Sequence, residues 1–396
     1  MYLALLALSA IMPVQQADPY LAQARLLHAK YPLIDGHNDL PWGMRRRPGG
    51  FDDFEIRLRQ DEGQTDIPRM REGGMGGQFW SVYVPTSLPG AEAVEATMQQ
   101  IEIVHNMADR YPDVFEVAYT ADDVMRIFNE GKIASMIGVE GGHCINSSLQ
   151  ALRAFYRQGA RYMTVTHSSN TPWADSATDD PQNGGLNEFG EEVIREMNRL
   201  GMLVDLSHVS ADTMRDVFRI ARAPVIFSHS GAGGICEHPR NVPDDVLPLV
   251  KRNGGVIMVI ILASYTSQET YEHSLTQQTA QEVADARFGE GSDEADEAMR
   301  DWMEGNPRPA ATLSQVADHI DHIKDRIGVD HIGIGGDYDG GGGVEGLEDV
   351  STYPMLTAEL LRRGYTEREI AKILGLNVIR IMRAAERTSR IMQREH

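Results

Sequence analysis

Short apolar runs, rich in β-branched residues, recur through the middle of the chain: Leu33–Ile34, Phe79–Val84, Ala134–Val139, Tyr162–Thr166, Met202–Leu206, Pro224–Phe227, Val256–Leu262 and Ile332–Ile334. Runs this short and this uniformly apolar fit strands buried on both faces, and most are followed by stretches with helical spacing. Such alternation predicts a parallel sheet, because crossover helices cover both of its faces. Eight units predict an α/β fold of the (β/α)8 TIM-barrel type. His37 and Asp39, Glu140, His167, His208, His229 and Asp337 all lie just past the C-terminal end of a run. A barrel brings those ends to one rim, where active sites are built. An open doubly wound sheet would not gather the first, third, fifth, sixth and eighth strands around one centre so naturally.

No fixed-period repeat and no Pro/Gly/Ser-rich linker divides the chain, so residues 18–396 read as one catalytic domain. Gln277–Met303 carries many acidic and few strongly apolar residues, and predicts a solvated helical insertion between the seventh and eighth strands, serving solubility or as a lid. Leu356–Leu361, Ile370–Leu376 and Val378–Ala385 read as amphipathic helices. At the other end, Leu3–Met12 is apolar but too short to cross a bilayer, and Pro13 and a polar stretch lead to Ala17. Residues 1–17 read either as a signal peptide or as a frayed start, since no basic residue precedes the apolar stretch and Gln15 fits a cleavage site poorly. The first reading makes the mature protein periplasmic or secreted, the second cytoplasmic. No other stretch is long and apolar enough for a transmembrane helix, and no lipid-anchor signal follows the last helix.

With 42% hydrophobic and 24% charged residues over 396 positions, the chain can bury a sizeable core. Its net charge of −21 repels phosphate backbones and anionic lipid surfaces, which argues against nucleic-acid binding. Cys144 and Cys236 are its only cysteines, too few for a disulfide framework or a zinc–cysteine site. Any metal must therefore be held by nitrogen and oxygen.

The strand-end residues suit that chemistry. His37 and Asp39 are two positions apart, so in extended chain their side chains point the same way, although an Asx turn through Asp35 and Asn38 explains the same motif. Glu140 is kept sterically open by Gly141 and Gly142 and must be paired or metal-bound in a barrel mouth; the neighbouring His143 reads as a structural hydrogen-bonder. With His208 and His229 these give three imidazoles and two carboxylates, a set suited to zinc and able to take cobalt or manganese. Five ligands exceed one tetrahedral site. Shared through a bridging carboxylate, they suit two metals about 3.5 Å apart that activate a water and polarise a scissile carbonyl. Asp337 is placed to carry the proton to the leaving amine, and His167 to donate to the developing oxyanion, with an ordinary polar loop as the alternative for His167. Arg240 could clamp a substrate carboxylate or, more simply, pair with Asp244 or Asp245. Trp42, Tyr83 and Trp173 read as pocket walls or as core. Gly340–Gly343 allows close backbone approach but lacks the lysine of a phosphate loop.

Read in order, Ile34-Asp35-Gly36-His37-Asn38-Asp39-Leu40-Pro41-Trp42, Gly77-Gln78-Phe79-Trp80-Ser81-Val82-Tyr83, Ile137-Gly138-Val139-Glu140-Gly141-Gly142-His143, Thr166-His167-Ser168, Asn170-Thr171-Pro172-Trp173-Ala174-Asp175, Ala223-Pro224-Val225-Ile226-Phe227-Ser228-His229-Ser230 and Gly335-Gly336-Asp337-Tyr338-Asp339-Gly340 resemble the membrane (renal) dipeptidase family, peptidase family M19. The likeness runs from about residue 20 to residue 385. It implies a metal-dependent-hydrolase (amidohydrolase-like) barrel with two zinc ions, His37 and Asp39 holding one, His208 and His229 the other, and Glu140 bridging them. It further implies that His167, Arg240 and Asp337 contact substrate, Arg240 through the terminal carboxylate and Asp337 as proton shuttle. The implied activity is hydrolysis of dipeptides, L,L and also L,D, by a homodimer, with another amide, an N-acyl amino acid or a β-lactam, as the alternative substrate. Mammalian relatives are disulfide-bonded and glycolipid-anchored, so with two cysteines and no such tail the chain is similar to unanchored bacterial members. The acidic insertion is longer than in those relatives, and bears on substrate preference and the dimer rim.

Overall fold

All eight apolar runs form strands. The computed structural model describes residues 18–395, and the leader expected within residues 1–17 lies outside them. In chain order the strands are β1 (Leu33–Asn38), β2 (Met75–Tyr83), β3 (Phe115–Val117), β4 (Ile133–Glu140), β5 (Ala160–Thr164), β6 (Leu203–Asp205), β7 (Ile226–Phe227), β8 (Val256–Ile260) and β9 (Ile332–Gly335). They pair in parallel in the order β2-β1-β9-β8-β7-β6-β5-β4, and β2 pairs with β4 to close the ring. The closing register runs from Gly77 opposite Ala134 to Tyr83 opposite Glu140, which sets Tyr83 beside Glu140 at the carboxyl rim. The added strand β3 lies outside the ring, along the first three residues of β4.

Successive strand residues alternate between two clusters, as the period of two demands. Ile34, Phe79, Met136, Tyr162, Ile226 and Met258 form one cluster. A Cβ on Gly36 of β1 would strike Met258 of β8, two strands away, so this face lies inside the barrel. Leu33, Trp80, Val139, Met163, Val204, Phe227 and Ile257 face the other way, into the layer of helices. Val378, Ile379, Ile381 and Met382 of the helix Asn377–Met392 join the inner cluster. Each filled layer removes the space for a pore and holds the rim in place.

The acidic insertion is a helical hairpin, Gln268–Phe288 and Asp293–Gly305, starting nine residues before the expected boundary. It is not simply solvated: Ala284, Ala295 and Met299 form a small core of their own, flanked by Ala280, Ala298 and Trp302. No helix among the described residues is long and apolar enough to cross a membrane.

Candidate metal centre and active site

The carboxyl ends of β1, β4, β6 and β7 deliver four side chains to one point. Glu140 Oε1 lies 3.4 Å from His37 Nε2, 3.2 Å from His208 Nε2 and 3.7 Å from His229 Nε2. His167, just after β5, adds a fourth imidazole with Nε2 at 3.5 Å. His37 Nε2 is also 3.3 Å from Asp39 Oδ2, and the Nε2 atoms of His208 and His229 are 2.9 Å apart. The donor atoms fall into three overlapping groups: His37, Glu140 and His229; Glu140, His167 and His208; and His37, Asp39 and Asp337. All seven residues read from the strand ends therefore converge. His208 and Asp337 hold φ of 69° and 57°, a left-handed conformation that costs a non-glycine residue roughly 1–2 kcal/mol and is met where function demands it.

Two imidazoles have their proton placed by a hydroxyl behind them. His229 Nδ1 is 2.8 Å from Ser228 Oγ, and Ser228 Oγ is 2.6 Å from Asp205 Oδ2. The single Ser228 hydroxyl proton goes to the carboxylate, so His229 donates from Nδ1 and turns a bare Nε2 to the cluster. Tyr162 does the same for His37: its hydroxyl donates to Gly36 O at 3.1 Å and receives from His37 Nδ1 at 3.0 Å. Ser81 donates to Glu140 Oε2 at 3.0 Å, leaving Oε1 to the imidazoles.

The electrostatics show a site short of positive charge. Burial alone would lower His37, but Glu140, Tyr162 and Asp39 drive its imidazole well above the ordinary value. Burial pushes Asp337 up to about 8 against the pull of His37, with Asp39 and Glu140 adding repulsion and Arg240 a smaller attraction. Glu140 is held well below the usual carboxylate range because His37, His167 and His208 outweigh its burial. Burial first, then neighbouring cations, keep His208 and His229 neutral and able to coordinate. His37 Nε2 is buried with no hydrogen-bond partner. A divalent cation answers each feature: it takes the bare imidazole nitrogens and neutralises the clustered carboxylates. The donor set fits metal.

The cluster floors a cavity of about 580 Å³ lined by Trp42, Tyr83, Arg240, Tyr265, Asp337 and Asp339, among others. Arg240 is 2% exposed, and its contacts to Ser230 Oγ (3.5 Å) and His229 O (3.4 Å) are long. Its Nε has no partner, and burial lowers its affinity for a proton. The alternative pairing with Asp244 or Asp245 does not form: Asp244 binds His322 and Arg326, and Asp245 binds Arg215. A buried guanidinium so poorly satisfied has donors left over that an anion could take.

Of the two readings of Trp173, pocket wall and core, the structure bears out core. It is buried, with its ring packed on Gly142 and 6.1 Å from that of Phe189, and does not line the cavity, whereas Trp42 and Tyr83 do. His143 is structural, with Nε2 3.0 Å from Val84 O. Gly340 must lack a side chain because a Cβ there would lie 2.1 Å from Asp39 Oδ2 and 2.7 Å from Asp337 Oδ1. Sequence reading missed Tyr162 and Ser228 as orienting groups, and it missed Gln64. The Gln64 side chain accepts from Asp339 N–H at 2.9 Å and donates to Gly342 O and Glu348 O, both at 2.8 Å, pinning the loop that carries Asp337.

The family model of the membrane dipeptidases, peptidase family M19, matches residues 21–396. Dipeptidase verJ of Clonostachys rogersoniana is 41% identical over 389 residues, covering 95% of this chain and 90% of its own. Among solved structures, the probable dipeptidase PvdM from Pseudomonas aeruginosa superposes with a TM-score of 0.79 at 26% identity, covering 93% of this chain and 99% of that one. The dipeptidase AC, a metallopeptidase, gives a TM-score of 0.74 at 26% identity over 90% of this chain and 98% of that one. With the family's motifs on the strand ends of a closed barrel and a match across almost its whole length, the chain belongs to the membrane dipeptidase family and is an enzyme of that metallo-dipeptidase class.

Proposed function

We propose that this enzyme is a zinc-dependent dipeptidase that hydrolyses the single peptide bond of free dipeptides, L,L and also L,D. The observation that carries the reading is the convergence of four imidazole nitrogens on Glu140 Oε1 in the same cavity as a buried, unpaired Arg240. His37 and Asp39 would hold one zinc ion and His208 and His229 the other, with Glu140 bridging; when bound, the pair supplies Lewis acidity toward the carbonyl and lowers the pKa of the attacking water.

The chain's own groups position substrate and move the proton. Arg240 takes the C-terminal carboxylate and so fixes the scissile bond above Glu140. Because this contact is to the carboxylate and not to the second side chain, either hand at that position satisfies it. Asp337, which lines the cavity beside the His37 and Asp39 donor atoms, receives a proton from the water and delivers it to the leaving amine nitrogen. His167, a neutral imidazole under the influence of burial, donates to the carbonyl oxygen as charge develops there.

Two variants test the roles separately on zinc-loaded protein. Asp337→Asn keeps the volume but cannot cycle a proton, and should lower kcat by about 10²–10⁴-fold. Arg240→Ala should raise KM for dipeptides far more than it lowers kcat. Asp337→Asn turning over dipeptides at the parent rate would overturn the proton path. An unchanged KM in Arg240→Ala would move the search to amides without a free carboxylate.

A further inference from the structure

Three consecutive arginines close the helix Leu40–Arg45 that follows β1. The outer two are engaged: Arg45 donates to Gln99 Oε1 at 2.8 Å, and Arg47 donates to Glu62 Oε2 at 3.3 Å while lying 4.2 Å over the Phe54 ring. Arg46 between them is exposed, has no carboxylate or ring partner among the described residues, and lines the active-site cavity. One turn earlier Trp42 lines the same cavity, edge-on to Tyr83 at 5.0 Å. Other exposed arginines, Arg157 and Arg252 among them, also lack an acidic partner within the described residues, but Arg46 stands at the mouth of the site, in a chain of net charge −21.

The barrel order gives this arginine a direction. Arg240 reaches the residues directly after β7, whereas the helix bearing Arg46 follows β1 and packs on β2. In the closed ring of eight strands, β2 stands opposite β7. A dipeptide clamped by its C-terminal carboxylate at Arg240, with its peptide bond over Glu140, therefore runs its first residue toward the wall of Trp42, Tyr83 and Arg46. We propose that Arg46 is a specificity-determining residue and that the enzyme favours dipeptides whose N-terminal residue carries a side-chain carboxylate. Glutamate fits best: its methylenes lie along Trp42 and Tyr83, and its carboxylate meets Arg46. This inference rests on the dipeptidase reading above.

The test compares kcat/KM for L-Glu-L-Ala, its uncharged isostere L-Gln-L-Ala, and L-Lys-L-Ala, in zinc-loaded parent, Arg46→Ala and Arg46→Glu. Ratios taken within each protein cancel differences in folding and metal content. The parent should favour Glu over Gln by about fivefold, the upper end of what one ion pair at a solvated rim contributes. Arg46→Ala should bring that ratio close to one, and Arg46→Glu should shift preference toward the lysyl substrate. The same Glu/Gln ratio in parent and Arg46→Ala would overturn the inference alone. So would an equal fall on all three substrates, which assigns Arg46 a general role in packing. No hydrolysis of any of the three by the parent would overturn the dipeptidase reading and this inference together.

Discussion

Replacing Ser228 by alanine isolates how the scaffold prepares His229, one of the proposed zinc ligands. Ser228 Oγ stands between His229 Nδ1 (2.8 Å) and Asp205 Oδ2 (2.6 Å), and the residue is fully buried. Without the hydroxyl, the His229 Nδ1–H is left in the interior with no acceptor, at a cost of about 1–3 kcal/mol, and the ring is free to place its proton on Nε2 instead. Asp205 keeps its other contacts, from Ser207 N–H at 3.1 Å, Ser228 N–H at 2.8 Å and Thr164 Oγ1 at 2.6 Å, so the damage stays at the imidazole. Loss of an outer hydrogen-bond partner weakens a metal site by about 10–100-fold, which corresponds to about 1.4–2.7 kcal/mol and matches the range for one orphaned donor. A chelator-competition titration of zinc reads the effect directly, and kcat at saturating zinc should stay within a few-fold of the parent. Thr164→Val removes a different hydrogen bond to the same Asp205 oxygen and should weaken zinc much less. A zinc Kd for Ser228→Ala within twofold of the parent would refute the orienting role.

Gly340→Ala should lower kcat by about 10²-fold while leaving the melting temperature close to that of the parent, because the added methyl displaces the Asp39 and Asp337 carboxylates and not the core; near-parent turnover would show that the loop relaxes freely. At the opposite end of β1, His28 is buried between Gly73 O and Thr357 Oγ1, and burial lowers its pKa to about 4. The folded chain keeps it neutral while the unfolded chain protonates it near 6.5, so its contribution is fully present above that pH and is lost as pH falls toward 4. A lowering from 6.5 to about 4 corresponds to about 3 kcal/mol. Urea midpoints between pH 7.5 and 4.5 should fall more steeply for the parent than for His28→Gln, and equal slopes would contradict the assignment.

The strands and the strand-end residues that converge were legible because both depend on local signals. A fully buried strand such as Ile133–Glu140 announces itself as an apolar run, and a histidine or carboxylate at its end can be read without knowing its neighbours. β3 escaped because three residues carry no periodicity. The hairpin core was hidden because Ala280, Ala284, Ala295 and Ala298 close two helices without strong hydropathy. Trp42, Tyr83 and Trp173 stayed open between wall and core because an aromatic's identity does not reveal which side of a loop it packs on. The groups that orient these side chains were illegible for another reason. Tyr162 meets His37 across 125 residues and Gln64 meets Asp339 across 275, so their roles exist only once the ring has closed.

The most direct test of the central claim is hydrolysis of a small panel of L,L- and L,D-dipeptides by the protein as purified, after chelation and after zinc is restored, with metal content measured on the same samples. The account predicts about two metals per chain, activity lost with them and regained with zinc. Full activity in metal-free protein, or no dipeptide turnover with both metals bound, would contradict it.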